Sequence, residues 1–269
     1  MTADSAPVPT VQESRVEVDG AELRVLSAGS GPVLLYLHGV GDLGAFIPPL
    51  ALLAERYRVI RPDHPGFNGS DDLPVDSPAD VAAVHSRLLD ALGVSSAVLV
   101  GCSFGGWVAA ELALREPERI TRLVLIDPAG MPADEPVPRV LDMNPAEAAA
   151  LTWADAERQA GARARAAGLA ESDPTAAGYD RRNRQTTTRL AGDPYMCDPG
   201  LPAKVAGLTQ PVTLLWGEED RIVPLSHARS WTDALPEATL AVVPGAGHLP
   251  HAEQPAAFFA RADLGVAPA

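Results

Sequence analysis

Three short stretches carry residue types able to do acyl chemistry together. Gly101-Cys-Ser-Phe-Gly105 sets a serine between two glycines. Trp216-Gly-Glu-Glu-Asp-Arg-Ile-Val-Pro224 offers three neighbouring carboxylates, and Gly245-Ala-Gly-His-Leu-Pro250 a histidine framed by glycines. A serine hydroxyl is a poor nucleophile until a base takes its proton, and the base needs a carboxylate to orient it. Ser103 and His248 supply the first two parts, with Glu218, Glu219 or Asp220 as the third.

The flanks of Ser103 say how it is presented. Ala97-Val-Leu-Val100 reads as a buried strand, and Gly106 to Leu114 has the length and Ala/Leu content of a helix. Strand, Gly-x-Ser-x-Gly, helix is the setting of a nucleophile elbow. A serine on so sharp a turn has strained backbone angles, and Gly101 and Gly105 remove the Cβ atoms that would collide there. The helix N-terminus behind the serine favours developing negative charge.

The elements that must hold these stretches follow in order. Arg15 to Leu26 alternates apolar and polar residues around Asp19-Gly20, a hairpin signal. Pro32 to Leu37 is a strand buried on both faces, followed by a helix over Phe46 to Arg56 and a strand over Tyr57 to Ile60. Ser77-Pro78 starts a helix with serine as N-cap, ending at Gly93. Arg122 to Ile126 is another buried strand. Strands resume at Val212 to Trp216 and Thr239 to Val243, with helices near Leu225 to Ala234 and from Glu253 onward. This alternation predicts an α/β fold with a mostly parallel sheet covered by helices on both faces. Between Met131 and Leu208 no strand-like run occurs, and Pro145 to Ala167 is Ala-rich and helical in pattern. The expected division is a core of residues 1–130 and 209–269, with 1–12 a loose tail, and a helical cap over 131–208.

Composition narrows the functional classes. The chain has 269 residues, 46% of them hydrophobic, enough for one sizeable core. A net charge of -14 argues against nucleic acid or an anionic membrane surface as partner. Cys102 and Cys197 fall outside any C-x-x-C pattern, so neither a disulfide framework nor a zinc site is expected, and Cys102 is read as a packing residue. No signal-peptide pattern and no apolar run of about 20 residues is present, so a cytoplasmic location and no membrane span are expected.

The three stretches, with His38-Gly-Val-Gly41 and Asp63-His-Pro-Gly-Phe67, resemble the α/β-hydrolase superfamily in its capped serine-esterase-like branch, from about Val16 to Leu264. The resemblance implies a core sheet of about eight strands, Ser103 as nucleophile, His248 as base and Asp220 as the orienting acid, in the family's chain order. It implies an oxyanion hole formed by the backbone N–H groups of Val40 and Phe104, and no metal or organic cofactor. Asn68 stands where the family usually has glycine, a departure that bears on the loop's shape. The implied activity is a serine hydrolase cleaving a carboxylic ester, lactone or thioester of small size through an acyl-enzyme.

Ser103 in place of an aspartate nucleophile argues against haloalkane dehalogenases and epoxide hydrolases. Carbon–carbon bond hydrolases typically have tryptophan after the histidine, where this chain has Leu249. Cofactor-free oxygenases and perhydrolases share the serine and histidine and stay open, as does a receptor or pseudoenzyme on the same fold. The expected substrate pocket is apolar, lined by His38, Leu151, Trp153, Tyr195, Met196 and Leu249. Asp127 is read as a polar strand end, His38 as a brace of the oxyanion loop, and His251 as a surface or supporting histidine. His64, His85 and His227 are taken as structural or exposed. Arg181, Arg182, Arg184 and Arg189 are read as a solvated, salt-bridged face. The substrate and the oligomeric state are not legible.

Overall fold

Apolar runs long enough to be buried on both faces sit side by side in the computed structural model, which describes residues 9–265. An 8-stranded sheet has the order β1-β2-β4-β3-β5-β6-β7-β8. The strands are β1 (Gln12–Val18), β2 (Ala21–Ala28), β3 (Val33–Leu37), β4 (Arg58–Pro62), β5 (Ala97–Cys102), β6 (Ile120–Ile126), β7 (Val212–Gly217) and β8 (Thr239–Val243). β1 and β2 pair antiparallel through the Asp19-Gly20 turn, where both residues have positive φ (55° and 81°). β2 pairs antiparallel with β4, and every pairing from β4 onward is parallel. The continuous apolar runs in β3, β5, β6 and β7 belong to this parallel part, where both faces are covered.

Helices cover the two faces. Residues of α2 (Pro78–Ala91) and α3 (Phe104–Arg115) join one core cluster with Leu35, Leu99, Leu123 and Leu214. Leu50 and Leu53 of α1 (Pro48–Leu53) join the other with Leu34, Val100, Val124 and Leu215, as do Phe258 and Phe259 near the C-terminus. Alternate residues of one strand thus feed opposite cores, as a period of two requires. Ser77 caps α2 as expected, its Oγ accepting the Asp80 N–H at 3.2 Å.

Between β6 and β7 lie α4 (Pro145–Thr152), α5 (Ala156–Ser172), α6 (Pro174–Leu190) and α7 (Leu201–Val205). The helical stretches expected over Pro145 to Ala167 are α4 and α5, which meet at Trp153–Asp155, and the second runs on to Ser172. Asn144 and Glu147 form a capping box on α4, and Asp155 N-caps α5, so each has its own start signal. α5 has no buried residue among its 17. After β7 come α8 (Ser226–Ala234), α9 (Pro250–Glu253) and α10 (Pro255–Ala262); the single last helix expected from Glu253 is a pair split at Gln254. The expected tail falls mainly on residues 1–8, outside the described residues, while Gln12 is already paired in β1. No described helix is long and apolar enough to cross a membrane.

Candidate active site

Four adjacent strand ends, those of β5, β6, β7 and β8, bring Ser103, Asp127, Asp220 and His248 to the same edge of the sheet. Ser103 follows β5 and precedes α3 with φ 56° and ψ -121°, a left-handed conformation strained for a residue with a Cβ. Its N–H donates to Ile126 O at 2.8 Å, so β6 pins the turn. A Cβ on Gly101 would strike Gly105 O, and one on Gly105 would strike Leu37 O. Both glycines are therefore required by close approach.

Asp220 and His248 meet by a second set of close approaches. A Cβ on Gly217, at the end of β7, would lie 2.7 Å from Ala246 O. The absence of that atom lets the loops after β7 and β8 touch. His248 Nδ1 then lies 2.7 Å from Asp220 Oδ2, while Asp220 Oδ1 accepts the N–H groups of Ile222 and Val223 at 2.8 and 3.0 Å. Trp216 Nε1 donates to Val223 O at 2.8 Å and holds the far side of the loop. With Asp220 accepting, the neutral imidazole carries its proton on Nδ1 and presents Nε2 as a lone pair. Glu218 and Glu219, the competing carboxylates, are exposed, whereas Asp220 is buried.

The loop after β3 supplies a wall beside the serine. A Cβ on Gly39 would lie 3.2 Å from the Ser103 Cβ, which sets Val40 close by. The Val40 N–H makes no hydrogen bond to a described residue, and the Phe104 N–H opens α3, where no earlier turn can accept it. His38 lies beneath this loop. Its Nε2 accepts the His64 N–H at 3.1 Å, its Nδ1 meets Gly39 O at 2.9 Å, and His64 Nδ1 lies 2.7 Å from His85 Nε2. Burial pushes His38 down to about 3 and holds His64 and His85 well below the usual histidine range. All three are neutral braces at neutral pH.

Asp127 is more than a strand end. It is fully buried, with φ 43°, and its Oδ1 accepts the Gly217 N–H at 2.9 Å. One ligand atom from each of Asp127, Asp220 and His248 lies within 4.8 Å of the other two. Burial, reinforced by the neighbouring Asp220 charge, pushes the Asp127 carboxyl well above the usual carboxylate range. His251, expected at the surface or in support, is a buried supporting residue with Nε2 3.3 Å from the Tyr36 hydroxyl, and burial lowers it to about 4. His227 is buried too, its Nε2 2.7 Å from Glu135 O.

The residues expected to line a pocket are spread more widely. His38 is fully enclosed with both ring nitrogens engaged. Met196 is buried in the core, and its carbonyl accepts the Gly130 N–H. Tyr195 lies under the Arg139 guanidinium, 4.6 Å from its ring centre. Leu151 and Leu249 are half-buried against opposite core clusters, and Trp153 ends α4. Of the arginines, Arg182 pairs with Asp72 and Arg184 with Asp180, while Arg181, Arg182 and Arg189 border a surface cavity of ≈470 Å³. A smaller cavity of ≈250 Å³ adjoins Trp107 and Cys197, and neither includes Ser103, Asp220 or His248 in its walls.

A family model described as alpha/beta hydrolase fold matches residues 32–255. The chain belongs to that family. It is 31% identical over 239 residues to a pimeloyl-[acyl-carrier protein] methyl ester esterase of Photobacterium profundum, covering 86% of this chain and 92% of that protein. It is 27% identical over 273 residues to a 2-hydroxy-6-oxo-6-phenylhexa-2,4-dienoate hydrolase of Burkholderia cepacia, covering 86% of each. A solved hydrolase of the latter name from Rhodococcus sp. strain RHA1 shares the fold, with a TM-score of 0.75 at 24% identity over 91% of this chain and 95% of that one. Asn68, at the position where the resemblance leads one to expect glycine, has a positive φ of 44°. Its N–H donates to Asn183 Oδ1 at 2.8 Å, and Asn183 Nδ2 donates to Asn68 Oδ1 at 3.0 Å and to Asp42 O at 2.7 Å. Asparagine thus serves the turn and fastens α6 to the two loops beside it. Sequence reasoning missed Asn183 because its partner lies 115 residues away.

Proposed function

We propose that the protein is a serine hydrolase that cleaves an ester-like small molecule through an acyl-enzyme on Ser103. The observation that carries this reading is the His248 ring, fixed by Asp220 in the tautomer that leaves Nε2 free as base, on the sheet edge that also carries the strained Ser103 turn. Ser103 attacks the carbonyl as His248 takes its proton. The N–H groups of Val40 and Phe104 hold the oxyanion, where aligned donors stabilise charge most when water is excluded. His248 returns its proton to the leaving group, then activates water for deacylation. The helices from 131 to 208 act as the cap over this edge and confine the substrate.

A carbon–carbon bond hydrolase on the same three residues is the second reading, favoured by the likeness to the Burkholderia cepacia enzyme. Leu249 after His248 weighs toward the ester reading. Hydrolysis of p-nitrophenyl esters of increasing chain length, with the Ser103→Ala rate subtracted at each length, tests it. Ser103→Ala and His248→Ala are expected to lower kcat by roughly 10⁴-fold or more with the thermal midpoint retained. Turnover that survives in Ser103→Ala overturns the mechanism. Serine-dependent cleavage of a vinylogous diketone without ester turnover would replace the first reading by the second.

A further inference from the structure

The loop that carries His248 is not held by the core alone. Glu253, the last residue of α9, is buried, and each carboxylate oxygen accepts a different backbone N–H. Oε2 takes the Gly247 N–H at 2.7 Å, one residue before His248. Oε1 takes the Asp155 N–H at 2.6 Å, at the break between α4 and α5. Two further contacts join the same pieces. The His248 N–H donates to Thr152 O at 2.9 Å, and a Cβ on Gly247 would lie 2.6 Å from Thr152 O and 2.8 Å from Ala154 N. Asp155 in turn caps α5 through its side chain, accepting the Arg158 N–H at 2.7 Å, and the Arg158 guanidinium reaches Glu253 O at 3.5 Å. Since α5 buries no residue of its own, its position depends on what its ends are fastened to.

We propose that Glu253 is a positioning residue that ties the His248 loop to the start of α5, so that His248 is correctly placed only while the α4–α5 junction is docked. One side chain holds both amides, and the His248 N–H reaches Thr152 O, so movement at the junction removes a bond from the histidine loop and frees the side chain that steadies it. Docking of the cap and the competence of the base are then a single event, and a substrate that seats the junction also orders its own base. A displacement of about 1 Å in a reacting group is enough to lower a rate by about 100-fold.

This inference rests on the serine-hydrolase reading, and the experiment separates the two. Wild type, Glu253→Gln, Glu253→Ala and Gly247→Ala are compared, with Ser103→Ala as control. The readouts are kcat and KM on p-nitrophenyl acetate, labelling of Ser103 by a fluorophosphonate, and hydrogen exchange at the Gly247 and Asp155 amides. Glutamine keeps one acceptor oxygen and alanine none, so kcat and labelling rate are expected to fall about 10-fold and about 100-fold with KM little changed. Both amides exchange faster together in Glu253→Ala, and at least one of them does in Glu253→Gln. Gly247→Ala forces the junction off the loop with Glu253 intact, loses kcat likewise, and carries the test should the Glu253 variants fail to fold. Wild-type kcat and labelling in the folded variants overturn the proposal, as does faster exchange at Gly247 with Asp155 unchanged in Glu253→Ala. Turnover in Ser103→Ala overturns the hydrolase reading instead, while the paired exchange still decides the tie.

Discussion

Asp127 shows how a buried carboxyl shapes a site without charge of its own. Its Oδ1 holds the Gly217 N–H, which fixes the end of β7 where the Asp220 loop departs. Because its folded-state pKa lies above the usual carboxylate range, the unfolded chain releases this proton at lower pH than the folded one. Stability from this group is complete below about pH 4 and is lost as pH rises toward the folded value, at about 1.4 kcal/mol per pH unit. Asp127→Asn keeps an oxygen for Gly217 and has no proton to lose. The difference in unfolding free energy, variant minus wild type, is therefore expected to grow as pH rises from 4.5 to 8, as read by urea unfolding. A difference that stays flat across that range contradicts a neutral Asp127.

Among the elements, those bounded by local signals were legible. The Asp19-Gly20 hairpin, the Ser77 cap and the Gly-x-Ser-x-Gly turn each announce themselves within a few residues, and β8 matches the expected Thr239 to Val243. The junction of α4 and α5 has a local signal in Asp155, but where it docks was not legible, because its partners there, Glu253 and His248, are distant in sequence. Asn68 and Asn183 illustrate the same limit, since nothing near either residue names the other. Their pairing has a measurable consequence. Asn68→Gly frees the turn of strain and keeps the backbone N–H to Asn183 Oδ1, but removes the side-chain oxygen that accepts from Asn183 Nδ2, so a loss of about 1–3 kcal/mol is expected by thermal unfolding. Asn68→Ala is expected to lose more, because alanine is strained at a φ of 44°. A glycine variant as stable as wild type would remove α6 fastening as the reason for asparagine.

Across the molecule, the ionisable groups inside the fold set its response to acid. His38, His64, His85 and His251 are all buried and held below 6.5, the first at about 3 and the last at about 4. The unfolded chain takes up protons near pH 6.5 that the folded chain refuses. Their contribution is present above that pH and is lost as pH falls, at about 1.4 kcal/mol per unit for each histidine. A steep drop in the urea midpoint between pH 6.5 and 5 is expected, and a flat midpoint there contradicts four neutral buried rings. Arg61, buried between Asp42 and Asp63, adds a later step. Although burial opposes ionisation, the guanidinium holds Asp63 near 2, so this pair survives until more acid pH.

The helices α4 to α7 leave the sheet after β6 and return at β7, and these two strands are direct neighbours, with Leu123 opposite Val212. Because the pair is parallel, the chain leaves at Ile126, beside Leu215, and re-enters at Val212, three residues back along β7, so the excursion must also return about 10 Å along the strands. On the way back Leu201 and Val205 of α7 lie in the core, whereas α5 buries nothing, so a replacement confined to α5, of different length or shape, leaves the strand ends bearing Ser103, Asp220 and His248 supported as before. Such a graft must keep the Asp155 amide at Glu253 and the Thr152 carbonyl at the His248 N–H. Under the proposed function, exchange of α5 alone is then a route to a new substrate preference that leaves the reacting residues in place.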